Sequence, residues 1–130
     1  MHEFHLISKY FLGLSKKNKS SLNLNDDVFF DKKNNFVISV DSYVNGIHFK
    51  KPELVIKKII RSSISDLICK GVVPKYYFIA ASGDNKSFSP LNLKKISNSL
   101  RREQNKYNIL LCGGDTVKSN KLTFTVTSVG

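Results

Sequence analysis

The chain has few of the residues that build cross-linked or membrane-spanning proteins. Its 130 residues include two cysteines, three prolines and no tryptophan. Cys69 and Cys112 are too few for a disulfide scaffold or a zinc cluster, and both lie in apolar runs, so we predict buried, reduced thiols. No apolar run approaches the roughly 20 residues of a membrane span, and residues 1–9 do not have a signal peptide's order of charged and apolar residues. These absences predict a cytoplasmic protein with no membrane partner.

Acidic residues are also scarce. The chain has 10 aspartates and glutamates against 21 lysines and arginines, which gives a net charge of +11. Such a surplus is typical of proteins that bind nucleic acids or other anions. However, only three of the cations are arginine, the residue that reads bases bidentately, and the lysine pairs are scattered. We therefore predict a solvated basic surface and no nucleic-acid partner, with a basic nucleic-acid-binding module as the alternative.

The remaining composition, 41% hydrophobic and 24% charged, is that of one globular domain. Hydrophobic periodicity predicts the order helix, hairpin, helix, strand, helix, strand, strand. The predicted helices span residues 3–14, 52–70 and 89–106, and the predicted strands span 28–30, 36–40, 76–81, 108–112 and 121–129. The hairpin has a five-residue connection, and Gly113 to Thr116 form a bend after a strand. This pattern predicts an α+β domain whose sheet is covered by helices.

Several aspartates fall at the ends of these predicted elements. Asp26 and Asp27 precede a strand, Asp41 follows one, and Asp115 follows the bend at Gly113. Three loops could therefore converge at one edge of the sheet. Gathered carboxylates repel each other unless a cation such as Mg²⁺, often with substrate phosphates, neutralises them. For any single aspartate the alternative is an ordinary loop or capping residue.

Three further features carry weaker signals. Asp66 lies in the apolar stripe of a predicted helix, where an acid needs a partner. Gly113 and Gly114 before Asp115 allow close backbone approach to a phosphate, although a tight turn explains them equally well. His48 is a metal ligand, a substrate contact or a surface histidine.

Taken in order, these motifs resemble those of the thiamine-monophosphate kinase family, which belongs to the same superfamily as aminoimidazole-ribonucleotide synthetase. The segments that carry the resemblance are Glu3-Phe-His-Leu-Ile7, Asn25-Asp-Asp27, Ser39-Val-Asp-Ser-Tyr-Val44 with His48-Phe49, Ser65-Asp-Leu67 with Gly71, and Gly113-Gly-Asp-Thr116. The sequence departs from the family pattern at Asn25, Val40 and Ser63, where the family usually has glycine, threonine and asparagine.

The resemblance implies a mixed, mainly antiparallel sheet covered by helices on one side. It also implies an enzyme that uses ATP and Mg²⁺ to phosphorylate thiamine monophosphate to thiamine diphosphate, as a homodimer and with no protein nucleophile. By matching position, it implies one set of Mg²⁺ ligands, one set of ATP contacts and one substrate contact: Asp27, Ser39, Asp41, Asp66 and Asp115 for Mg²⁺; Gly114, Asp115 and Tyr107 for ATP; and His48 for thiamine monophosphate.

The resemblance further implies that residues 1–130 are the N-terminal ATP- and Mg²⁺-binding domain of such a kinase. The family's second domain is absent from these residues, so we expect them to be an incomplete enzyme. The alternatives are another small-molecule kinase or synthetase of the superfamily, a nucleic-acid-binding module, or a module that only dimerises.

Overall fold

The computed structural model describes residues 2–25, 28–44 and 51–130. Within these residues, three α-helices and five β-strands follow each other in the predicted order. They are α1 (Glu3–Tyr10), β1 (Val28–Asp31), β2 (Phe36–Val44), α2 (Pro52–Cys69), β3 (Tyr76–Gly83), α3 (Pro90–Tyr107), β4 (Leu110–Lys118) and β5 (Thr123–Val129). Short 3₁₀ segments at Leu12–Ser15 and Lys19–Leu24 connect α1 to β1.

The five strands form one sheet in the order β1-β2-β5-β3-β4. Among the described strands only β3 and β4 pair in parallel, and α3 forms the crossover that a parallel pair requires. Helix α2 packs against β2 and β5, and α3 packs against α2 and contributes Ile96 to the core. Val40 and Phe78 are exposed on the opposite face. The prediction of a mixed, mainly antiparallel sheet with helices on one side is confirmed.

Local sequence signals explain where the two long helices begin and end. Pro52 stands at the start of α2, and Gly71 just after its end adopts the left-handed φ of 73°. There the Val72 N–H donates to the Leu67 carbonyl at 3.1 Å. At the start of α3, the Ser89 hydroxyl accepts from the Asn92 N–H at 3.2 Å. Both helices therefore lie within one residue of their predicted bounds.

The prediction of a bend at Gly113 to Thr116 is wrong, because β4 continues through these residues as far as Lys118. Cys112 forms a bulge, since Tyr77 pairs with Leu111 while Phe78 pairs with Gly113. Gly114 then lies so close to β3 that a Cβ atom would overlap the Ile79 carbonyl oxygen. The glycines therefore allow close strand pairing and do not make a turn.

Three smaller predictions also differ from the structure. Helix α1 ends at Tyr10 and continues as 3₁₀ turns, and the hairpin connection has four residues because Asp31 pairs with Phe36. Both cysteines are exposed. Cys69 is the last residue of α2, and Cys112 is in the bulge of edge strand β4, so neither apolar run places its thiol in the core.

A hydrogen-bonded tyrosine joins the end of α3 to the start of the parallel strand pair. The Tyr77 hydroxyl donates to Gln104 Oε1 at 2.9 Å, and the same oxygen accepts from the Leu111 N–H at 3.2 Å. Tyr77 is 1% exposed. Removal from solvent, together with a smaller contribution from Cys112, raises the pKa of Tyr77 to about 12.

This pKa predicts a pH dependence of stability. Because the folded-state pKa lies above the unfolded-state value of 10, the contribution of Tyr77 is complete below pH 10 and is lost as pH rises through about 12. Tyr77→Phe should lower the free energy of unfolding by about 1 kcal/mol at neutral pH, because it removes one hydrogen bond. It should also flatten the fall in stability at alkaline pH, measured by urea unfolding. An unchanged alkaline slope in the variant would contradict the assignment.

Candidate functional site

A buried hydroxyl and a carboxylate meet where α2 crosses β2. Ser39 on β2 is 1% exposed, and its Oγ donates to Asp66 Oδ2 on α2 at 3.1 Å. The packing of α2 against β2 therefore brings together two residues that the resemblance assigns to Mg²⁺. The expectation that Asp66 needs a partner within its apolar stripe is confirmed.

Asp41 lies two residues beyond Ser39 on β2, on the same face of the strand because side chains alternate. Its Oδ2 atom is inaccessible to solvent. We call Ser39, Asp41 and Asp66 the β2–α2 oxygen cluster. Hydroxyl and carboxylate oxygens are the ligands that Mg²⁺ prefers, so the chemistry of these side chains fits that ion.

Gly114 and Asp115 lie on the other side of the sheet's centre. Asp41 pairs with Val126, Val126 with Ile79, and Ile79 with Gly114, so one row across the sheet connects these four residues. Three strand spacings separate the backbones of Asp41 and Gly114 by about 14 Å. Asp115, which follows Gly114, is therefore not a member of the β2–α2 oxygen cluster.

The prediction that loops bring the aspartates to one edge of the sheet is therefore wrong for Asp41 and Asp115. Both residues lie inside strands, because β2 and β4 are longer than predicted. Within residues 2–25, 28–44 and 51–130, no group of three histidine, cysteine, aspartate or glutamate side chains could hold a metal ion. Asp27 and His48 lie outside the described residues, and their assignments stay predictions.

Asp115 borders an apolar cavity of about 340 Å³ between α3 and the edge of the sheet. Ile79, Phe88 and Leu93 line this cavity, and Asp115 and Thr116 lie at its β4 side. Asp115 is exposed, and its Oδ1 accepts from the Thr116 N–H at 2.9 Å. Hydrocarbon walls beside one carboxylate suit a flat, apolar ring better than a phosphate group.

Tyr107 lies at the end of α3 and packs against the core. Its ring centroid is 5.9 Å from the Arg61 guanidinium and 5.5 Å from the Lys106 ammonium group. Contacts of Tyr107 with these two cations do not test its assignment to ATP, which stays a prediction.

Sequence reasoning missed a buried acid, Glu103, and its partner. Glu103 on α3 is 5% exposed and accepts from Arg61 Nε at 3.2 Å and from Nη2 at 3.4 Å. The hydrogen bond to Glu103 raises the pKa of Arg61 above its usual value. Glu103 occupies the apolar stripe of α3 with Ile96 and Ser99, so the reasoning applied to Asp66 would have found it.

Within the part of the chain that the structure describes, no helix has the length and apolar character needed to cross a membrane.

The comparisons with known proteins agree with the fold. Thiamine-monophosphate kinase from Buchnera aphidicola subsp. Acyrthosiphon pisum is 35% identical over an alignment of 135 positions, gaps included, which covers 98% of this chain and 41% of that protein. The structure of AaThiL complexed with AMPPCP and TMP superimposes with a TM-score of 0.81 and 26% identity, over 98% of this chain and 41% of that one. Thiamine monophosphate kinase from Aquifex aeolicus has a TM-score of 0.77 at 24% identity, over 100% of this chain and 44% of that one, which supports the fold.

The chain therefore spans about two fifths of the length of the relatives it matches. The family model described as AIR synthase related protein, N-terminal domain, matches residues 24–130. This match covers all five described strands and both long helices. The chain accordingly belongs to the AIR synthase related family and carries its N-terminal domain.

Proposed function

We propose that residues 1–130 form the N-terminal, ATP- and Mg²⁺-binding domain of a cytoplasmic thiamine-monophosphate kinase. The enzyme would transfer the γ-phosphoryl group of ATP to thiamine monophosphate and produce thiamine diphosphate. The observation that carries the proposal is the β2–α2 oxygen cluster, in which the buried Ser39 hydroxyl donates to Asp66 beside Asp41. The similarity to AaThiL, which was solved with AMPPCP and TMP, also supports the proposal.

The β2–α2 oxygen cluster would hold Mg²⁺ through oxygen atoms of Ser39, Asp41 and Asp66. When bound, Mg²⁺ neutralises phosphate charge and so favours phosphoryl transfer, a reaction that depends mainly on positioning and electrostatics. The chain's own contribution is orientation: the Ser39 hydroxyl holds one oxygen of Asp66 at 3.1 Å, so this carboxylate is fixed before a nucleotide arrives. No side chain has to act as a nucleophile in this reaction.

The distance between the cluster and β4 favours more than one ion. About 14 Å separates the backbones of Asp41 and Gly114, so one ion bound to Asp41 cannot also be bound directly by Asp115. We therefore assign Asp115 to a second Mg²⁺ position, on β4. A nucleotide with several phosphates would connect the two positions.

A second copy of the chain fits the helix-free face of the sheet. Val40, Val44, Phe78 and Val117 expose between 40% and 57% of their surface there. Several exposed apolar residues on one face of a sheet indicate an interface. Phe78→Glu should weaken dimers in sedimentation velocity, whereas Leu91→Glu, at an exposed apolar position of α3, should not. Equal behaviour of the two variants would contradict a homodimer that uses this face.

The nucleotide site is tested by titrating AMPPCP into the protein by calorimetry, with and without Mg²⁺. We expect binding in Mg²⁺ to be at least about tenfold tighter than in EDTA, because the carboxylates repel the phosphates without a cation. Asp66→Asn should reduce the difference in AMPPCP affinity between Mg²⁺ and EDTA. Nucleotide affinity that is independent of Mg²⁺ would contradict the proposal.

The remaining alternatives predict different results in binding experiments. A nucleic-acid-binding module would bind an oligonucleotide with an affinity that falls steeply with salt and does not depend on Mg²⁺ and ATP. Another kinase of the superfamily would bind nucleotide in the same way, but thiamine monophosphate would not compete with its substrate. A module that only dimerises would bind no nucleotide.

A further inference from the structure

Three serines are buried where α2 packs against β2 and β5. Ser39 on β2 is 1% exposed, and Ser63 on α2 and Ser128 on β5 are both 0% exposed. Of the described residues that α2 buries, only Ser63 is polar, and Ser128 has the same position in β5. A buried hydroxyl group costs free energy unless it is hydrogen-bonded, so each of these groups needs a partner.

The hydroxyl groups of Ser63 and Ser128 are partners of each other. Their Oγ atoms are 2.8 Å apart, and Ser128 Oγ also donates to the Ser63 carbonyl at 3.3 Å. Because a hydroxyl has one hydrogen, the Ser63 hydroxyl is then the donor in the contact between the two Oγ atoms. Two hydrogen bonds therefore join α2 to β5. We call Ser63 and Ser128 the serine pair.

The serine pair lies beside the β2–α2 oxygen cluster on both of its elements. Ser128 is directly opposite Ser39 in the pairing of β5 with β2, and both side chains face α2. Ser63 precedes Asp66 by three residues on α2, which places them on neighbouring turns of one side of the helix. The serine pair and the hydrogen bond between Ser39 and Asp66 are thus two adjacent polar connections between α2 and the sheet.

The rest of this contact has no directional requirement. The described side chains that α2 buries around the two connections are apolar, among them Ile60, Ile64 and Leu67. The hydrophobic effect depends on buried area and not on direction, whereas a hydrogen bond weakens steeply as its geometry departs from the optimum. The hydrogen bonds of the serine pair therefore fix where α2 lies along the sheet, and with it the distance from Asp66 to Ser39.

We infer that the serine pair positions the Asp66 carboxylate for Mg²⁺. Both hydroxyl hydrogens are used within α2 and β5, so Ser63 and Ser128 are positioning residues that act through the placement of the helix. Groups that orient a metal ligand influence the affinity for the metal although they do not touch it. The inference rests on the proposed function where it assigns Mg²⁺ to Asp66, but the position of Asp66 can be measured without the ion.

The metal-free measurement is a double-mutant cycle of Ser39→Ala and Asp66→Ala, followed by urea unfolding in EDTA. It gives the coupling between these two side chains. Ser63→Ala/Ser128→Ala removes both hydroxyl groups of the pair together, so neither is left buried without its partner. In this background we expect the coupling to fall by at least about half. Ser63→Ala alone breaks the 2.8 Å contact and gives the same comparison if the double variant does not fold.

Ser99→Ala is the matched control. Ser99 on α3 is also buried, at 3% exposure, and its Oγ donates to the Glu53 carbonyl of α2 at 2.9 Å. This substitution removes a buried hydroxyl that contacts the first turn of α2, at the end of the helix away from Asp66. The coupling between Ser39 and Asp66 should stay the same in this background.

The second measurement is the calorimetric titration of AMPPCP in Mg²⁺ and in EDTA. We expect the Ser63→Ala/Ser128→Ala protein to bind AMPPCP in Mg²⁺ at least about threefold more weakly than the unsubstituted protein, with the same affinity in EDTA. A general loss of structure would lower both affinities. Ser99→Ala should change neither by more than about twofold.

Two results would overturn the inference. The first is a coupling between Ser39 and Asp66 that is unchanged without the serine pair. The second is an equal loss of coupling in Ser99→Ala, which would mean that any buried hydroxyl of the helix layer has this effect. A coupling that falls as expected, with AMPPCP affinity of the unsubstituted protein independent of Mg²⁺, would support the positioning of Asp66 and overturn the proposed function instead.

Discussion

Replacing Gly114 with alanine is expected to lower the free energy of unfolding by about 3 kcal/mol. The new Cβ atom would overlap the Ile79 carbonyl oxygen and lie 2.9 Å from the Ile79 carbonyl carbon. Both atoms are backbone, so no side-chain rotation can make room. The parallel pairing of β3 with β4 has to separate near its centre, and we expect chemical denaturation to show the loss.

Gly13→Ala is the matched control for this measurement. A Cβ atom at Gly13 meets nothing within 4 Å, so the same chemical change should alter stability by less than about 0.5 kcal/mol. If Gly114→Ala unfolded at the same denaturant concentration as Gly13→Ala, the close approach of β4 to β3 would be refuted.

If the proposed function is correct, Asp41→Asn and Asp66→Asn are each expected to lower the turnover of the proposed kinase at least about tenfold at saturating Mg²⁺. Each substitution keeps the shape of the side chain and removes a negative charge from the β2–α2 oxygen cluster. A tenfold loss corresponds to about 1.4 kcal/mol of transition-state stabilisation, a modest value for a metal-binding carboxylate. The measurement is a steady-state assay of thiamine diphosphate formation at several Mg²⁺ concentrations.

Asp31→Asn gives the control for the loss of one carboxylate. Asp31 lies at the turn between β1 and β2, where the Asn34 N–H donates to its Oδ1 at 3.0 Å and lowers its pKa. This substitution should leave turnover within about twofold of that of the unsubstituted protein, since the turn lies outside the β2–α2 oxygen cluster. Near-normal turnover in both Asp41→Asn and Asp66→Asn would contradict the binding of Mg²⁺ by the β2–α2 oxygen cluster.

The elements that the sequence predicts well are those specified by neighbouring residues. Helix α2 could be predicted because its start at Pro52, its apolar stripe and its end at Gly71 are all local. Strand β5 could be predicted because Phe124 and Val126 alternate with threonines, and the structure buries both apolar residues. The interruption of an apolar stripe by Asp66 likewise showed that this residue requires a partner.

The identity of that partner could not be predicted, because Ser39 is 27 residues away and reaches Asp66 only through the packing of α2 on β2. The role of Gly114 in close strand pairing could not be predicted for the same reason. Its close neighbour, Ile79, belongs to β3, which is separated from β4 in the sequence by α3. Without the position of β3 beside β4, a pair of glycines is equally compatible with a turn. The distance from Asp41 to Asp115 likewise depends on strand order.

The position of β5 in the sheet has a consequence for how the domain is made. Strand β5, which follows the other four described strands in sequence, lies at the sheet's centre and pairs with β2 on one side and β3 on the other. During synthesis, the β1–β2 hairpin and the β3–α3–β4 unit can form early from local contacts, but nothing pairs them until residues 123–129 emerge. Until then, β2 and β3 each present an open edge able to pair with other chains, so folding yield should depend on how soon β5 is synthesised after them.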